Sequence, residues 1–286
     1  MCTDEKKRLL SFVVVGGGPT SVEFTAELHD FLIDDLKRMY AELIPHVSIS
    51  LIEASPELLG TFSKVLRDYT KSSLLKRKIN VVTSHAVRNI EYQDRPSGWI
   101  GDLTEAVLDD DTRIQFGTMI WSAGLAQIRL VNRLELEKGR GGRILVNDKL
   151  QVCHEKYHNS VWALGDCSVN AEKPCPPTAQ VAQQQAKYIA KMLNDGPASS
   201  SGAPFEFFSL GAMSQLGLGR GVLDLTNVGA NASHKVPDEV GAWSGLTAWL
   251  SWRMAYWGKQ VSFVNKLLIP MHWFKTFFFG RDISRF

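Results

Sequence analysis

The sequence predicts an α/β fold built on a parallel sheet. Two observations carry that expectation. Short β-branched runs alternate with helical periodicity over residues 9–84. The first of these runs ends in Gly16-Gly17-Gly18 and opens directly into a helix.

The first run, LLSFVVV (9–15), reads as a buried strand. A long helix is expected from about Ser21 to Leu43, with Val22, Ala26, Phe31, Leu32, Leu36 and Met39 as its apolar stripe and Pro45 closing it. VSISLIE (47–53) is a second strand, 62–77 a second helix and INVVTS (79–84) a third strand. HAVRNIEYQ and EAVLDDDTRIQF read as an inserted hairpin turning at Asp109-Asp110-Asp111, a triplet too short for a calcium loop. MIWSAG (119–124) returns to the core. ILVNDKLQV (144–152) and VWALGDC (161–167) are expected as strands, and Pro174, Pro176 and Pro177 introduce a helix from about Thr178 to Asn194. GPASSSGAP (196–204) is a linker by composition. A Gly-rich hairpin (205–226), a polar loop and a basic, aromatic tail follow.

Composition bounds the function. The 286 residues, 44% hydrophobic and 22% charged, suit a globular chain of roughly two domains rather than a disordered or fibrous one. The net charge of +2 is uneven: residues 242–286 carry six cations against Asp282 alone, so the remainder is net acidic. That tail also holds five of the eight tryptophans, a pairing that suits an anionic membrane surface. Trp249, Trp252, Tyr256 and Phe263 are expected on one inserting face. No window is long and apolar enough to span, no targeting peptide is visible, and no nucleic-acid partner is expected. Cys2, Cys153, Cys167 and Cys175 have neither CxxC nor metal-ligand spacing, so they read as reduced thiols and no metal is expected.

The glycine run has the context of a dinucleotide-binding turn. Gly16 permits the tight turn, Gly18 lets a pyrophosphate approach the backbone, and the helix start offers free N–H groups to the phosphates. Ser21 stands where a third glycine is usual. Glu53, at the tip of the second strand, is placed to accept from the ribose hydroxyls. Ala54 and Ser55 follow it, not arginines, which favours NADH over NADPH.

GGGPTSVEFTAELHDF resembles the second nucleotide motif of type II, or alternative, NADH:quinone oxidoreductases. MIWSAG, VWALGDC, CPPTAQVAQQQAKYIA and FFFGRDISRF, with WRMAYWGK upstream, resemble further segments of that family. The resemblance implies a Rossmann-like NADH-binding domain over 11–124 after a linker stub at 1–10. It implies the C-terminal part of an FAD-binding domain over 125–195, and a hairpin with amphipathic membrane-anchoring helices over 205–286. It implies FAD and NADH as cofactors, a membrane quinone as acceptor and a peripheral place on the mitochondrial inner membrane, with a homodimer as one possibility.

By the same resemblance Gly16, Gly18, Pro19, Thr20, Ser21 and Glu53 hold NADH. Ala123, Gly124, Gly165, Asp166, Ala179 and Gln180 border FAD. Glu23, Gln180, Gln183, Gln184 and Lys259 serve the reaction near the nicotinamide, flavin and quinone, while Cys167 and His272 are structural. Two segments depart from the family, SFVNK (262–266) and Met271-His272. The family also begins with a flavin-binding half of about 150 residues that has no counterpart here, so Met1 falls where a linker would lie. Two other readings stand beside this one: a disulfide-reductase-type flavoprotein, and a non-catalytic NADH-binding membrane protein.

Overall fold

The computed structural model describes residues 2–94, 100, 102–157, 160–195 and 203–283. Helix α1 (Thr3–Leu9) leads into strand β1 (Ser11–Val15) and helix α2 (Pro19–Asp30). Strand β2 (Ser48–Glu53), helix α3 (Lys64–Lys76) and strand β3 (Asn80–Thr83) follow. Strands β4 (Val87–Gln93), β5 (Leu103–Leu108) and β6 (Arg113–Gln115) form an antiparallel meander, and β7 (Thr118–Trp121) returns. Next come α4 (Arg129–Arg133), β8 (Ile144–Val146), β9 (Ser168–Asn170), α5 (Ala179–Asn194) and β10 (Phe208–Ser209). The chain continues through β11 (Ala212–Gln215), β12 (Gly221–Asp224), β13 (Asn227–Ala230), β14 (His234–Lys235) and α6 (Asp238–Gly241). It closes with β15 (Ala242–Gly245), α7 (Leu246–Gly258) and α8 (Phe263–Phe279).

These elements gather into two units. One holds the described chain up to Ala123, Ala212–Thr226 and the chain from Pro237 onward. The other holds Gly124–Gly211 and Asn227–Val236.

In the first unit a parallel sheet runs in the order β3-β2-β1-β7, with Val15 opposite both Ile52 and Trp121. After Ser11, β1 is hydrophobic from Phe12 to Val15, as suits a strand covered on both faces. Val14 joins Val22, Leu51, Leu66 and Leu74 on one face, while Val13 and Val15 join Ile52, Ala106 and Leu108 on the other. Each such side chain contributes roughly 1.5–3 kcal/mol by leaving water. A second, antiparallel sheet (β11-β12-β15) packs its Leu216 and Val222 into the first of these clusters. In the second unit, β8 and β9 pair in parallel over a core of Val131, Ile144, Val146, Leu150 and Ile189.

Several expectations need correction. Residues 3–9, expected as a linker stub, form α1. Its buried Glu5 accepts from the Ile100 N–H, and Arg8 donates to the Asp102 carbonyl at 3.1 Å. The helix expected from Ser21 to Leu43 is broken: α2 ends at Asp30, a π-turn spans Phe31–Asp35 and a 3-10 turn spans Leu36–Arg38. There Asp30 faces Arg77 and Asp35 faces Arg281, both at 3.4 Å, so widened turns aim these carboxylates at separate cations. The strand expected over 144–152 stops at Val146. Asn147 Oδ1 accepts from the N–H groups of Lys149 (2.9 Å) and Gln151 (3.0 Å), turning the chain. Residues 161–167 end in a 3-10 turn, and only then does β9 begin. The piece expected at 205–286 is divided between the units, because β10, β13 and β14 pair with each other while β11, β12 and β15 join the first unit. The loop expected as polar holds β13 and β14. Of the linker 196–204, residues 196–202 lie outside the described residues.

The tail forms two helices, and no helix among the described residues is long and apolar enough to cross a membrane. Trp249 is half-buried, with Arg253 stacked on it (4.0 Å) and also meeting Trp273 (4.7 Å), so it does not stand on the exposed face with Phe263. Trp252, also half-buried, packs on the exposed Tyr256 ring at 4.4 Å. The exposed stripe of α7 is Leu246, Leu250 and Met254. Pro270 lies inside α8 and cannot donate to the Lys266 carbonyl one turn back, and Trp257 Nε1 donates to that carbonyl instead, at 2.8 Å.

Candidate functional site

The glycine turn sits at the C-terminal edge of the parallel sheet, where open α/β sheets bind ligands. Gly16 leaves β1 at φ +120° and donates to the Ile52 carbonyl at 2.8 Å. Gly17 donates to Glu53 Oε2 at 2.5 Å, and a Cβ on Gly17 would lie 2.6 Å from Glu53 Cγ. The other carboxylate oxygen, Oε1, accepts from the Ser55 N–H at 2.7 Å. Gly18 is exposed, with nothing within 4 Å of where its Cβ would stand, so the backbone there is open to a ligand.

Pro19 and Thr20, both exposed, form the first turn of α2, and Pro19 at the helix start gives up no needed donor. Ser21 is fully buried, and its hydroxyl meets that of Ser122 at 2.6 Å. It therefore ties β7 to the turn, with Ala123 half-buried beside it.

Glu23 lies further along α2. Its Oε1 accepts from the Gln215 N–H at 3.1 Å. Burial pushes its carboxyl above the ordinary value and Glu27 adds to that, against the opposing effect of the Gln215 N–H and the Ser214 and Trp252 side chains. Glu27 accepts from Gln215 Nε2 (3.0 Å) and from Arg281 (2.6 Å). Tyr256 belongs to the same surroundings, its phenol raised by burial and then by Glu23. Lys259 ends α7, exposed, with its Nζ 5.8 Å from the centre of the Tyr256 ring. Gln215 was not singled out in the sequence, and Trp252, Tyr256 and Arg281 were read only as parts of the tail, because each reaches Glu23 or Glu27 from a segment more than 180 residues away.

In the second unit Gly165 turns at φ +73° and donates to the Gln185 side chain at 2.7 Å. This places Asp166 on the surface, its carboxylate without a hydrogen-bond partner among the described residues. Gly124, φ +72°, is also exposed and open. Thr178 caps α5 through the Val181 N–H at 3.3 Å, leaving exposed Ala179 in the first turn.

The three glutamines part company. Gln184 pairs with both main-chain groups of Phe208, at 2.8 Å each way. Gln180 accepts from the Leu210 N–H (2.9 Å) and donates to the Gly211 carbonyl (3.4 Å). These two amides act as rungs that hold an extended segment, and Gln183 alone stays exposed. Cys167 donates to the Leu164 carbonyl and packs against the second unit's core, while His272 is exposed on α8.

Residues 3–186 match the pyridine nucleotide-disulphide oxidoreductase family, and residues 210–282 match the NDH2 C-terminal domain. The chain is 34% identical to the internal alternative NAD(P)H-ubiquinone oxidoreductase A1 of Arabidopsis thaliana, over 99% of this chain and 54% of that protein. It is 36% identical to a probable NADH dehydrogenase of Dictyostelium discoideum, over 99% of this chain and 58% of that one. The chain thus spans about half the length of the curated relatives it matches. Its fold is shared with NDH2 from Plasmodium falciparum, solved in complex with NADH: TM-score 0.79 at 21% identity, covering 100% of this chain and 69% of that one. A parallel sheet with a glycine turn at its carboxyl edge, and both matches together, lead to one conclusion: the chain belongs to the pyridine nucleotide-disulphide oxidoreductase family and carries the C-terminal domain of its NDH2 members.

Proposed function

We propose that this chain binds NADH in the service of a type II NADH:quinone oxidoreductase reaction, in which a hydride passes to FAD and two electrons go on to a membrane quinone. The observation that carries the reading is the Gly16–Glu53 turn. Its open backbone at Gly18 and the free N–H groups of α2 suit a pyrophosphate, and Glu53 retains lone pairs for two ribose hydroxyls. A 2′-phosphate brought to that carboxylate would be repelled, which favours NADH.

FAD, when bound, supplies the two-electron acceptor. The residues of the second unit that fit it are Asp166, exposed and unpartnered, and the start of α5 at Ala179. Ala123 and Gly124 are assigned to the same cofactor. Gln183 is the glutamine free to face it, and Gln180 and Gln184 position the segment beside it. Glu23, whose carboxyl is raised chiefly by burial, is the group assigned to the nicotinamide side, and Lys259 stands at the end of the tail helix.

The exposed apolar residues of α7 and α8 include Leu250, Met254, Phe263, Leu267, Phe274 and Phe277, and large exposed apolar faces mark membrane or partner surfaces. Together with the basic tail they support peripheral docking on an anionic membrane; the Arabidopsis relative is named as mitochondrial, which supports a mitochondrial membrane, and the inner one is our proposal. Pairing of two copies through the same helices is the second use this face could serve.

Titration of the chain with NADH and NADPH, read by intrinsic fluorescence, tests the core of the proposal. NADH is expected to bind at least tenfold tighter. Equal affinities would remove the role given to Glu53.

A further inference from the structure

The first unit has a recess at the other edge of its sheet. Because β1, β2, β3 and β7 are parallel, the glycine turn lies at one edge and the strand beginnings lie at the opposite one. A cleft of about 740 Å³ opens there, within the size range of small-molecule sites. β1 alone has five residues, so the cleft and the turn stand roughly 16 Å apart along the strands. A dinucleotide head group held at the turn is not the occupant.

The lining is two-sided. Ile44, Val47 and Ile49 give it an apolar wall. Lys76, Arg77, Lys78 and Arg220 line it against Asp30 and Asp34, a surplus of two positive charges before His29 is counted. Asp30 is already engaged: it accepts from the Leu218 N–H at 2.8 Å and faces Arg77 at 3.4 Å and His29 at 3.3 Å. That pairing is loose: the Arg77 side chain is 7% exposed, and its Nη1, the atom facing Asp30 at 3.4 Å, makes no hydrogen bond among the described residues. Burial lowers the guanidinium from its ordinary value, Asp30 opposes this, and the positive Arg220 adds to the lowering. Two guanidiniums near each other, one with a buried donor held only by a long ion pair, are what a doubly charged anion relieves.

We propose that this cleft binds a phosphate monoester with an apolar ring or short chain, its dianionic head at Arg77 and Arg220 and its body against Ile44, Val47 and Ile49. The surplus of two charges matches a phosphate dianion, and the apolar wall matches an organic body rather than free phosphate. The site is independent of the NADH reading.

Calorimetric titration of the whole chain with phenyl phosphate at low salt tests it, with inorganic phosphate as comparison. The expected result is one site per chain, at least tenfold weaker for inorganic phosphate and retained in the presence of saturating NADH. Arg220→Glu, at an exposed position, should weaken phenyl phosphate at least tenfold. Ile44→Trp, which fills the cleft without changing its charge, should also abolish binding, with circular dichroism confirming that both variants fold. Absence of binding, displacement by NADH, or unchanged affinity in both variants would each overturn the proposal.

Discussion

Glu53 holds two main-chain donors, those of Gly17 and Ser55, without help from any nucleotide. Its carboxylate therefore needs no reorientation to receive a ribose, and part of the ordering cost of binding is met by the fold itself. Glu53→Gln keeps the shape but removes the charge, and should weaken NADH by about 1–3 kcal/mol in a fluorescence titration. Glu23 gives a separate, pH-dependent expectation. Its folded-state pKa is raised, chiefly by burial, so its contribution to stability is full below the unfolded pKa and is lost as pH rises through the folded one. Glu23→Gln retains the acceptor for Gln215 and should therefore raise the melting temperature at pH 7. That advantage should disappear near pH 4; a constant difference across the range would remove burial of the charge as its cause. The placement of Glu53 beside the glycine turn was legible in the sequence because β1, the glycines and β2 are local signals. The surroundings of Glu23 were not, since nothing near it in the chain announces Gln215 or Trp252.

Gln180 and Gln184 show how a correct face assignment can accompany a different use. Their i, i+4 spacing does place them on one side of α5, but what they meet there is main chain from Phe208 to Gly211. An amide side chain has the donor and acceptor of a peptide group, so each glutamine stands in for a neighbouring strand. Gln184→Ala should destabilise the chain by about 1–2 kcal/mol in urea unfolding, while Gln183→Ala, at an exposed position, should leave unfolding unchanged and alter only cofactor or quinone handling. Equal destabilisation by both would contradict the division of roles. The same level of structure explains the missed breaks. Helical periodicity runs on past Asp30, but the carboxylates of Asp30 and Asp35 have partners far along the chain, at Leu218 and Arg281, and these decide where the α-helix opens. In α1 the buried Glu5 and Arg8 looked like solvated linker charges because their partners are main-chain groups near residue 100.

For the molecule as a whole, net positive charge and exposed apolar side chains concentrate in the last 45 or so residues. Deleting residues 242–286 should abolish sedimentation with anionic vesicles. Raising salt on the intact chain should weaken it only in part, because ion contacts are screened while apolar insertion is not. Unchanged binding after the deletion would rule out the tail as the docking surface. Alternation of strand and helix made the first unit readable from sequence, since β1–α2–β2–α3–β3 is contiguous in the chain. The second unit was harder. Its β8 and β9 are three residues each, with only two strands in their sheet, so turns such as Asn147 outweigh the β-branched runs. A chain of these 286 residues is expected to hold FAD at well below one per chain, measured by flavin absorbance after purification. Stoichiometric flavin would show that Asp166 and α5 suffice.

Trp257 and Pro270 have a consequence that depends on the solvent around them. In water an unclaimed helix carbonyl is cheaply hydrated, so the Trp257–Lys266 bond is worth only about 1 kcal/mol there. In hydrocarbon there is no water to take its place, and an orphan carbonyl costs several times more. On the docking proposed for the tail, the indole would let the proline-containing helix meet the lipid boundary with its Lys266 carbonyl already satisfied. Trp257→Phe should scarcely change the melting temperature in buffer yet shift the helix pair toward shallower insertion, seen as weaker protection of α8 amides from exchange on vesicles.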